Sequence, residues 1–401
     1  MATVGYIRST YPEKRLIIGK TPNKYYFINR HLSPTFFARR LIDKLPRRDP
    51  SHDGRVNALA QMTYPFRKPD IIHTFNTLLQ THTKWVVTYE TIIPRTNETC
   101  RREWKHTSTY QPDRYTTKLI TLLKQDSCLA MIALSQCNHA MQLEYMKRSA
   151  VDGYNEIIPK MTVLPPPQEV LSTESEIESK YTKAKCPKLL FVGGDFFRKG
   201  GGQIISALED LKNEYEFDLT IVGRLDSTGD YASHSTSNDR DIATAIIKSA
   251  SYIRYYDYLP NRQIVDIARQ SHIGLLPTLA DTYGYSVLEM QACGCPVITT
   301  DIRALPEIND KECGWILHVP KDFTGEALYE TTQQRAQLKQ IIHDQLCATL
   351  VAIFSDVSVL PEKALASMER IKRVHDPERY SRELSSIFEA GVLSKNGQET
   401  R

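Results

Sequence analysis

The sequence lacks the features that mark membrane-spanning and secreted proteins. No run of about 18 apolar residues occurs, so no segment is predicted to cross a bilayer. The first residues, Met1 to Tyr6, lack the basic and apolar regions of a secretory signal peptide. The eight cysteines are scattered, and Cys293 and Cys295 are too close together for a zinc pair of the usual spacing. These absences favour a cytoplasmic protein with reduced structural thiols.

The composition is that of a globular protein with an uneven charge distribution. The 401 residues suffice for two domains, and 41% hydrophobic residues can form a core. Residues 1–170 contain 25 Lys and Arg against 14 Asp and Glu, a net charge of +11, whereas residues 171–401 contain 26 against 33, a net charge of −7. The basic half predicts an anionic partner, either a membrane surface or an anionic acceptor; the alternative is a well-solvated surface.

Residues 271–301 organise the rest of the chain. The pattern predicts a strand from Ile273 to Leu276, a loop after Pro277, a helix from about Tyr285 to Cys293, and a second strand from Pro296 to Thr300. Strand, loop, helix and strand in this order form the repeating unit of a parallel α/β sheet. Such sheets bind their ligands at the carboxyl ends of the strands, where this loop lies.

Two acidic residues frame the loop. Asp281 precedes the helix and Glu289 lies about one turn inside it, with seven residues between them. The helix N-terminus offers amides to an anion, and Gly284 allows a ligand to approach the backbone. Amides for phosphate and carboxylates for hydroxyls suit a nucleotide-sugar. Alternatively, Asp281 caps a turn and Glu289 lies on a solvated helix face.

The same stretch resembles the signature P-[ST]-x-x-E-x-x-G-x-x-x-L-E-x-x-A-x-G-x-P-V of retaining GT-B glycosyltransferases of family 4. Asp281 stands where the first glutamate is expected, which keeps the charge and shortens the reach by one methylene. The resemblance implies an α/β fold of two doubly wound Rossmann-like domains facing across a cleft. The matching positions are Pro277, Thr278, Gly284, Leu288, Glu289, Ala292, Gly294, Pro296 and Val297.

A basic, glycine-rich turn opens the second half of the chain. The strand Lys188–Gly194 is followed by Arg198, Lys199 and three glycines, and then by a helix from Gln203 to Leu211. Cations at a helix N-terminus predict a diphosphate site with solvent-facing side chains; the alternative is a solvated basic turn. It is not a P-loop, because no Gly-Lys-Ser/Thr closes it. It resembles the G-R-x-x-x-x-K-G element of family 4, which implies that Arg198 and Lys199 neutralise the leaving diphosphate.

The resemblance also implies the remaining donor contacts. The strand Asp218–Arg224 matches the family's l-x-i-v-G element, and residues at the end of the strand Ile253–Leu259 contact the nucleobase in family members. Asp281 and Glu289 join Arg198 and Lys199 as the implied catalytic residues. The implied donor-binding residues are Gly194, Arg224, Tyr256, Tyr258, Thr282, Tyr283, Gly284, Tyr285 and Ser286.

A metal is not expected to take part in the chemistry. Asp239-Arg240-Asp241 fits the D-x-D tripeptide that holds manganese in other glycosyltransferases, but it ends a polar loop and can instead cap the helix predicted from Asp241 to Lys248. Protein cations and helix amides would serve the diphosphate, so no cofactor is predicted.

The N-terminal half gives a weaker pattern. His73, in the predicted strand Asp70–Asn76, and Glu90, at the end of the strand Trp85–Glu90, are candidates to line the cleft, although a lone His near a strand end is more often structural. Phe36 to Leu45 resembles a short basic helix, and Thr116 to Gln125 a second helix. The predicted strands are Val4–Ile7, Arg15–Ile18, Tyr25–Ile28, Asp70–Asn76, Trp85–Glu90, Cys128–Ser135 and Met161–Leu164.

The predicted division of the chain is an acceptor-binding domain at 1–165, a polar linker at 165–187, a nucleotide-sugar-binding domain at 188–375, and a terminal helix at 376–392 that returns to the first domain. The resemblance implies transfer of a sugar, with retention, from a nucleoside-diphosphate sugar to a glycan or lipid-linked acceptor. Peripheral contact with an anionic membrane at its inner face is expected, and nucleic acid is not. The alternatives are a non-catalytic nucleotide-sugar-binding scaffold or subunit, and an epimerase or phosphorylase on the same fold.

Overall fold

The computed structural model describes residues 2–28, 59–61, 68–182, 186–226 and 229–396. The chain forms two compact units. The first unit comprises residues 1–167 together with 377–401, and the second comprises residues 168–376. The expected basic helix from Phe36 to Leu45 lies outside the described residues.

The first unit is built on a parallel sheet of six strands in the order β2-β1-β4-β6-β7-β8. A short parallel pair, β3 with β5, accompanies it. The strands are β1 (Thr3–Tyr6), β2 (Lys24–Phe27), β3 (Leu59–Gln61), β4 (Ile71–Phe75), β5 (Leu78–Gln80), β6 (Lys84–Tyr89), β7 (Cys128–Ala133) and β8 (Met161–Val163). The helices are α1 (Tyr11–Leu16), α2 (Asn97–Arg101), α3 (Arg114–Lys124), α4 (Gln136–Arg148) and, from the end of the chain, α13 (Pro377–Asn396).

Both faces of this sheet are buried. Successive side chains of a strand point to opposite faces. Ile72 and Trp85 accordingly join the core beneath α3 and α4, whereas Ile71 and Val86 join a second core. Helix α13 contributes Tyr380, Leu384 and Phe388 to that second core, and the Tyr380 hydroxyl donates to the carbonyl of Leu16 at 2.7 Å.

The prediction of a strand from Arg15 to Ile18 is wrong. The apolar run closes helix α1, whose start is specified by a capping box in which Thr10 and Glu13 bond each other's backbone amides. Pro12 lies in the first turn of this helix, where its missing N–H costs no hydrogen bond. The Thr-x-x-Glu signal therefore outweighs the short run of branched residues.

The second unit contains another parallel six-stranded sheet, in the order β11-β10-β9-β12-β13-β14. Numbered within the unit this is 3-2-1-4-5-6, the doubly wound order, so the direction of winding reverses between β9 and β12. The two doubly wound sheets that were predicted are therefore present. The strands are β9 (Lys188–Asp195), β10 (Asp218–Arg224), β11 (Ile253–Tyr256), β12 (Ile273–Leu276), β13 (Val297–Thr300) and β14 (Gly314–Leu317).

Helices surround the second sheet. Helices α2 and α4 of the first unit, and the second-unit helices at Leu305–Ile308 and Leu360–Val374, were not predicted from the sequence. Of the helices in the described ranges, none alone is long and apolar enough to cross a membrane. The helices of the second unit are α5 (Glu174–Thr182), α6 (Gly201–Leu211), α7 (Ser237–Ser249), α8 (Asn261–Gln270), α9 (Tyr285–Ala292), α10 (Leu305–Ile308), α11 (Thr332–Ser355) and α12 (Leu360–Val374).

Helix α5 lies within the segment that was expected to be a polar linker. Ile177 is buried, and a side chain added at Gly294 would meet it at 2.4 Å. The Lys180 ammonium donates to the carbonyls of Ser271, Cys293 and Gly294 at 3.0, 3.2 and 2.7 Å. These contacts satisfy carbonyls beyond the ends of α8 and α9, so residues from 168 onward are an integral part of the second unit.

Candidate functional site

The candidate site lies at the carboxyl ends of β9 and β12, where the winding of the second sheet reverses. Open α/β sheets bind ligands in the crevice beside such a reversal. Strand β9 leads into the turn that carries Arg198 and Lys199, and β12 leads into the loop that carries Asp281. The two segments are joined by backbone: the Leu279 amide donates to the carbonyl of Arg198 at 2.9 Å.

Gly200 permits the close approach of these two segments. Its backbone has φ of +87°, and a β-carbon there would lie 2.1 Å from the carbonyl oxygen of Pro277. Helix α6 begins at the next residue, and no side chain caps its N-terminus. The glycine is therefore required both by the left-handed turn and by the contact with the loop after β12.

Lys199 and Asp281 form an ion pair across the switch point. The Lys199 ammonium donates to Asp281 Oδ2, and the Thr282 amide donates to Asp281 Oδ1 at 2.8 Å. The two side chains are 16% and 7% exposed. Burial alone would raise the pKa of Asp281, but the charge and hydrogen bond of Lys199, with help from Arg198, hold that pKa below its ordinary value. Asp281 is therefore a buried carboxylate that also caps its own turn.

Arg198 is hydrogen-bonded to the loop after β12 and does not face solvent. Its guanidinium donates to Asp195 and, at 2.6 Å, to the carbonyl of Ala280, and its side chain is only 16% exposed. The expectation of two solvent-facing cations is thus wrong, because both cations have carboxylate partners. The element G-R-x-x-x-x-K-G, laid on the chain from Gly193, places its lysine on Lys199 and its arginine on Gly194, so Arg198 is an additional cation beside the lysine.

The N-terminus of α9 completes this part of the site. Gly284 adopts φ of +98° as the residue before the helix, and no side chain caps it. The Val287 amide bonds the Gly284 carbonyl at 2.9 Å. Tyr283 is buried, and Tyr285, Ser286 and Glu289 are half-buried. The positive end of the helix dipole therefore lies just after the loop that carries Asp281.

Tyr231 is a site residue that the sequence reasoning missed. Its ring centroid lies 5.9 Å from Arg198 Cζ and also 5.9 Å from the ring of Tyr329. The polar, serine-rich composition of residues 225–242 predicts a flexible excursion. Instead, Asp230 holds it in a turn by accepting from the amides of Ala232 and Ser233 at 2.9 and 2.8 Å. The Asp-x-x-Ser pattern is the signal that could have indicated an ordered turn.

The other predicted donor residues lie at the same edge of the second sheet. Gly194 and Arg224 are at the carboxyl ends of adjacent strands β9 and β10, and both are exposed. A β-carbon at Gly194 would meet nothing within 4 Å. Tyr256 ends β11 and is 40% exposed, and Tyr258 is 77% exposed. These positions leave room for a ligand along the edge.

The D-x-D tripeptide has a structural role. Asp239 Oδ2 accepts from the Thr236 amide at 2.6 Å and from the Thr236 hydroxyl at 2.7 Å, which forms the capping box of α7. The helix consequently begins at Ser237, four residues before its predicted start. Asp241 lies beyond the cap and pairs with Arg240 at 3.4 Å. The alternative reading of this tripeptide as a helix cap therefore holds for Asp239.

In the first unit, His73 and Glu90 have different environments. His73 is fully buried, its Nε2 lies 2.8 Å from the Thr88 hydroxyl, and its ring packs edge-on against Phe388. Burial lowers the pKa of His73 to about 3, so the ring is neutral. Glu90 follows β6 and accepts from Arg95 at 2.8 Å and from Asn76 at 3.1 Å. His73 therefore fits the structural reading, and Glu90 belongs to a partly exposed polar cluster.

The second sheet defines a doubly wound α/β unit with a ligand crevice at its switch point, and sequence comparison finds relatives of this part of the chain. Residues 186–334 match the sequence model of the family Glycosyl transferases group 1. Two curated relatives are D-inositol 3-phosphate glycosyltransferases. The protein from Paenarthrobacter aurescens (strain TC1) is 24% identical over 161 residues, 38% of each chain. That from Acidothermus cellulolyticus is 26% identical over 137 residues, 33% of this chain and 29% of its own. The matches span about a third of these relatives.

Solved structures extend the likeness to both units. Anabaena Alr3699/HepE in complex with UDP-glucose has a TM-score of 0.60 at 11% identity, over 97% of this chain and all of the other. A glycosyltransferase from Rickettsia africae ESF-5 has a TM-score of 0.57 at 16% identity, over 98% of both chains. Residues 186–334 of the second unit are thus similar to Glycosyl transferases group 1, and the chain as a whole has the two-sheet GT-B fold of its structural neighbours.

Proposed function

We propose that this protein transfers a sugar from a nucleoside-diphosphate sugar to a hydroxyl of an acceptor. The observation that carries the proposal is the buried Lys199–Asp281 ion pair at the switch point of a group 1 glycosyl transferase domain. A lysine and a carboxylate placed beside a helix N-terminus supply one group for phosphate and one for sugar hydroxyls.

Each residue then has a definite role in our proposal. The donor diphosphate replaces Asp281 as the partner of Lys199 and also accepts from the amides at Gly284 and Tyr285. Asp281, released from the ion pair, accepts hydrogen bonds from the donor sugar, and Glu289 accepts from the ribose. Tyr256 and Tyr258 contact the nucleobase in this proposal, which is supported by the exposure of both rings at the sheet edge.

The chemistry in this proposal is electrostatic. Lys199 and the start of α9 stabilise the negative charge that develops on the leaving diphosphate, and Arg198 holds the loop and adds a further positive charge nearby. The transfer proceeds with retention at the anomeric carbon and needs no metal. Gly194, Arg224, Thr282, Tyr283 and Ser286 complete the donor contacts.

The acceptor is proposed to be a glycan or a lipid-linked sugar. The support is the excess of positive charge in residues 1–170. Within the described part of that range, Lys and Arg exceed Asp and Glu by 17 to 11, so part of the excess lies outside the described residues. We also propose peripheral binding to the inner face of an anionic membrane. Flotation of the whole protein with anionic vesicles, but not with neutral vesicles, at low salt would support it.

The proposed transfer is tested first with UDP-glucose, because the Anabaena neighbour is described in complex with it. Calorimetry measures donor binding, and release of free glucose and UDP measures hydrolysis in the absence of acceptor. We expect the wild-type protein and Lys212→Met, which loses an exposed pair with Glu209, to bind and to hydrolyse equally. Lys199→Met should bind the donor more weakly and hydrolyse it about 10²–10³-fold more slowly.

Three outcomes would contradict parts of the proposal. Tight donor binding without hydrolysis or transfer to any acceptor would support the alternative of a non-catalytic nucleotide-sugar-binding scaffold. Failure of UDP-, GDP- and ADP-sugars alike to bind would remove the donor site itself. Epimerised sugar or a dependence on inorganic phosphate would support the epimerase or phosphorylase alternative.

A further inference from the structure

A second cluster of chemically reactive side chains lies on two helices of the second unit. Asp210 is on α6, and His343 and Cys347 are one turn apart on α11. Asp210 is nine residues beyond Gly201, about 14 Å along α6 from the turn that carries Lys199. We propose that Asp210, His343 and Cys347 bind a zinc-class divalent cation that fastens α6 to α11.

The geometry is close to that of a tetrahedral site. One donor atom from each residue lies within 4.8 Å of the other two. His343 Nε2 is 3.1 Å from Asp210 Oδ2 and 3.8 Å from Cys347 Sγ. Zinc bonds of roughly 2.0–2.3 Å place neighbouring ligand atoms about 3.3–3.7 Å apart, so small side-chain rotations bring all three donors onto one ion.

The histidine ring supports a cation at this position. His343 Nδ1 lies 3.2 Å from Asp344 Oδ1, and Nε2 lies 3.1 Å from Asp210 Oδ2. An imidazolium would donate to both oxygens, whereas a neutral imidazole, the form that binds metals, has a single N–H and can satisfy only one of them. With the proton on Nδ1, a cation between Nε2 and Asp210 replaces a repulsive contact of two acceptors with two metal bonds.

A supporting carboxylate orients the ring. Asp344 faces Nδ1 and accepts from Gln340 Nε2 at 2.7 Å, so its position is itself held by a hydrogen bond. A carboxylate on the far nitrogen of a metal-bound histidine is the usual arrangement, because it fixes the tautomer and raises the basicity of the ligand. Among the residues that the structure describes, no lysine or arginine is ion-paired with Asp210 to compete for it.

The donor set selects the class of metal. A thiolate, an imidazole and a carboxylate suit zinc and its neighbours, whereas magnesium, calcium and manganese prefer sites made of oxygen atoms alone. Three protein ligands leave one position for water. Because the cluster is at the end of α6 remote from Lys199, the cation should stabilise the second unit and leave sugar transfer unchanged. This inference does not depend on the proposed function.

The test uses the full-length protein after treatment with a chelator. Cobalt(II) is added as a spectroscopic substitute, because a bound thiolate gives an intense near-ultraviolet charge-transfer band. We expect saturation at one equivalent in the wild-type protein. Zinc should displace the cobalt and raise the melting temperature. The control is Cys100→Ser, which removes an exposed thiol outside the cluster and should keep the band.

Two variants test the ligands. Cys347→Ser should lose the charge-transfer band, and both it and His343→Gln should bind zinc at least about tenfold more weakly, the lower end of what loss of even a supporting residue costs. Circular dichroism without metal establishes that each variant is folded, and if one is not, the other decides. The proposal is overturned if cobalt produces no thiolate band at one equivalent, or if Cys347→Ser retains the band and its zinc affinity.

Discussion

Replacing Lys199 with methionine should show how much the stability of the second unit depends on both partners of the Lys199–Asp281 ion pair. The substitution keeps the length of the side chain and removes its charge. Asp281 is then left as a buried carboxylate, 7% exposed, with its turn amide and the more distant Arg198 as remaining support. Removing one partner of a buried ion pair typically costs about 3–5 kcal/mol, because the other charge stays desolvated. We therefore expect the second unit to lose that amount of unfolding free energy at pH 7.

The double variant Lys199→Met/Asp281→Asn should restore stability to within about 1 kcal/mol of the wild-type protein, since neither charge is then buried. The pH dependence should also change sign. In the wild type the pKa of Asp281 is lowered, so its stabilising contribution is present above its unfolded pKa, 3.8, and is lost as the pH falls through the folded pKa. In Lys199→Met burial dominates and raises that pKa, so the contribution of Asp281 to stability is greatest below 3.8 and declines as the pH rises.

Urea unfolding followed by tryptophan fluorescence measures these values. Trp315 is the tryptophan of residues 168–376, and Trp315→Phe identifies the transition that belongs to the second unit. Sugar transfer by Lys199→Met should fall by a factor of about 10²–10³, the usual effect of removing one donor to developing charge. Equal stability of Lys199→Met and wild type from pH 4 to 8 would refute the buried pair, and normal turnover would refute its role at the diphosphate.

Three other substitutions test the remaining structure. Gly200→Ala should destabilise the second unit by more than about 1 kcal/mol and weaken donor binding, whereas Gly202→Ala, in ordinary contact, should be neutral or slightly stabilising in urea melts. His73→Gln should reduce the loss of unfolding free energy that the first unit suffers as the pH falls. The pKa of His73 is about 3 in the folded state and 6.5 in the unfolded state, so the wild type loses about 1.4 kcal/mol per pH unit between these two values. Asp239→Asn should cost about 1 kcal/mol of thermal stability through the lost cap, and turnover should be equal with EDTA or with manganese.

The sequence predicted the central part of the second unit closely. Helix α9 and strands β12 and β13 begin and end within about one residue of the predicted bounds. Pro277, Gly284 and Gly294 mark those boundaries. Each determines the backbone conformation at its own position, so these boundaries can be predicted from the local sequence alone. Local signals also explain the error at α1, because the capping residues Thr10 and Glu13 precede the run that was interpreted as a strand.

The chemistry of the site was less accessible to sequence reasoning. Arg198 and Lys199 were found as cations, but their partners were not. Asp281 is 82 residues from Lys199 in the sequence. The two residues come together only because β9 and β12 are neighbouring strands of the second sheet. Tyr231 reaches Arg198 by a similar long-range contact from a segment with no periodic pattern. Tertiary pairing of this kind leaves no mark in local composition.

The discontinuity of the first unit has a consequence for synthesis on the ribosome. Its second core is closed by Tyr380, Leu384 and Phe388, which are made after the whole of residues 168–376. Domains usually fold in the order in which they emerge. Here the second unit is completely synthesised before the first unit, because the first unit needs residues from 377 onward. One apolar face of the first sheet therefore stays uncovered until those residues are made. We expect release of the chain at residue 376 to yield a folded second unit joined to an unfinished, aggregation-prone first one.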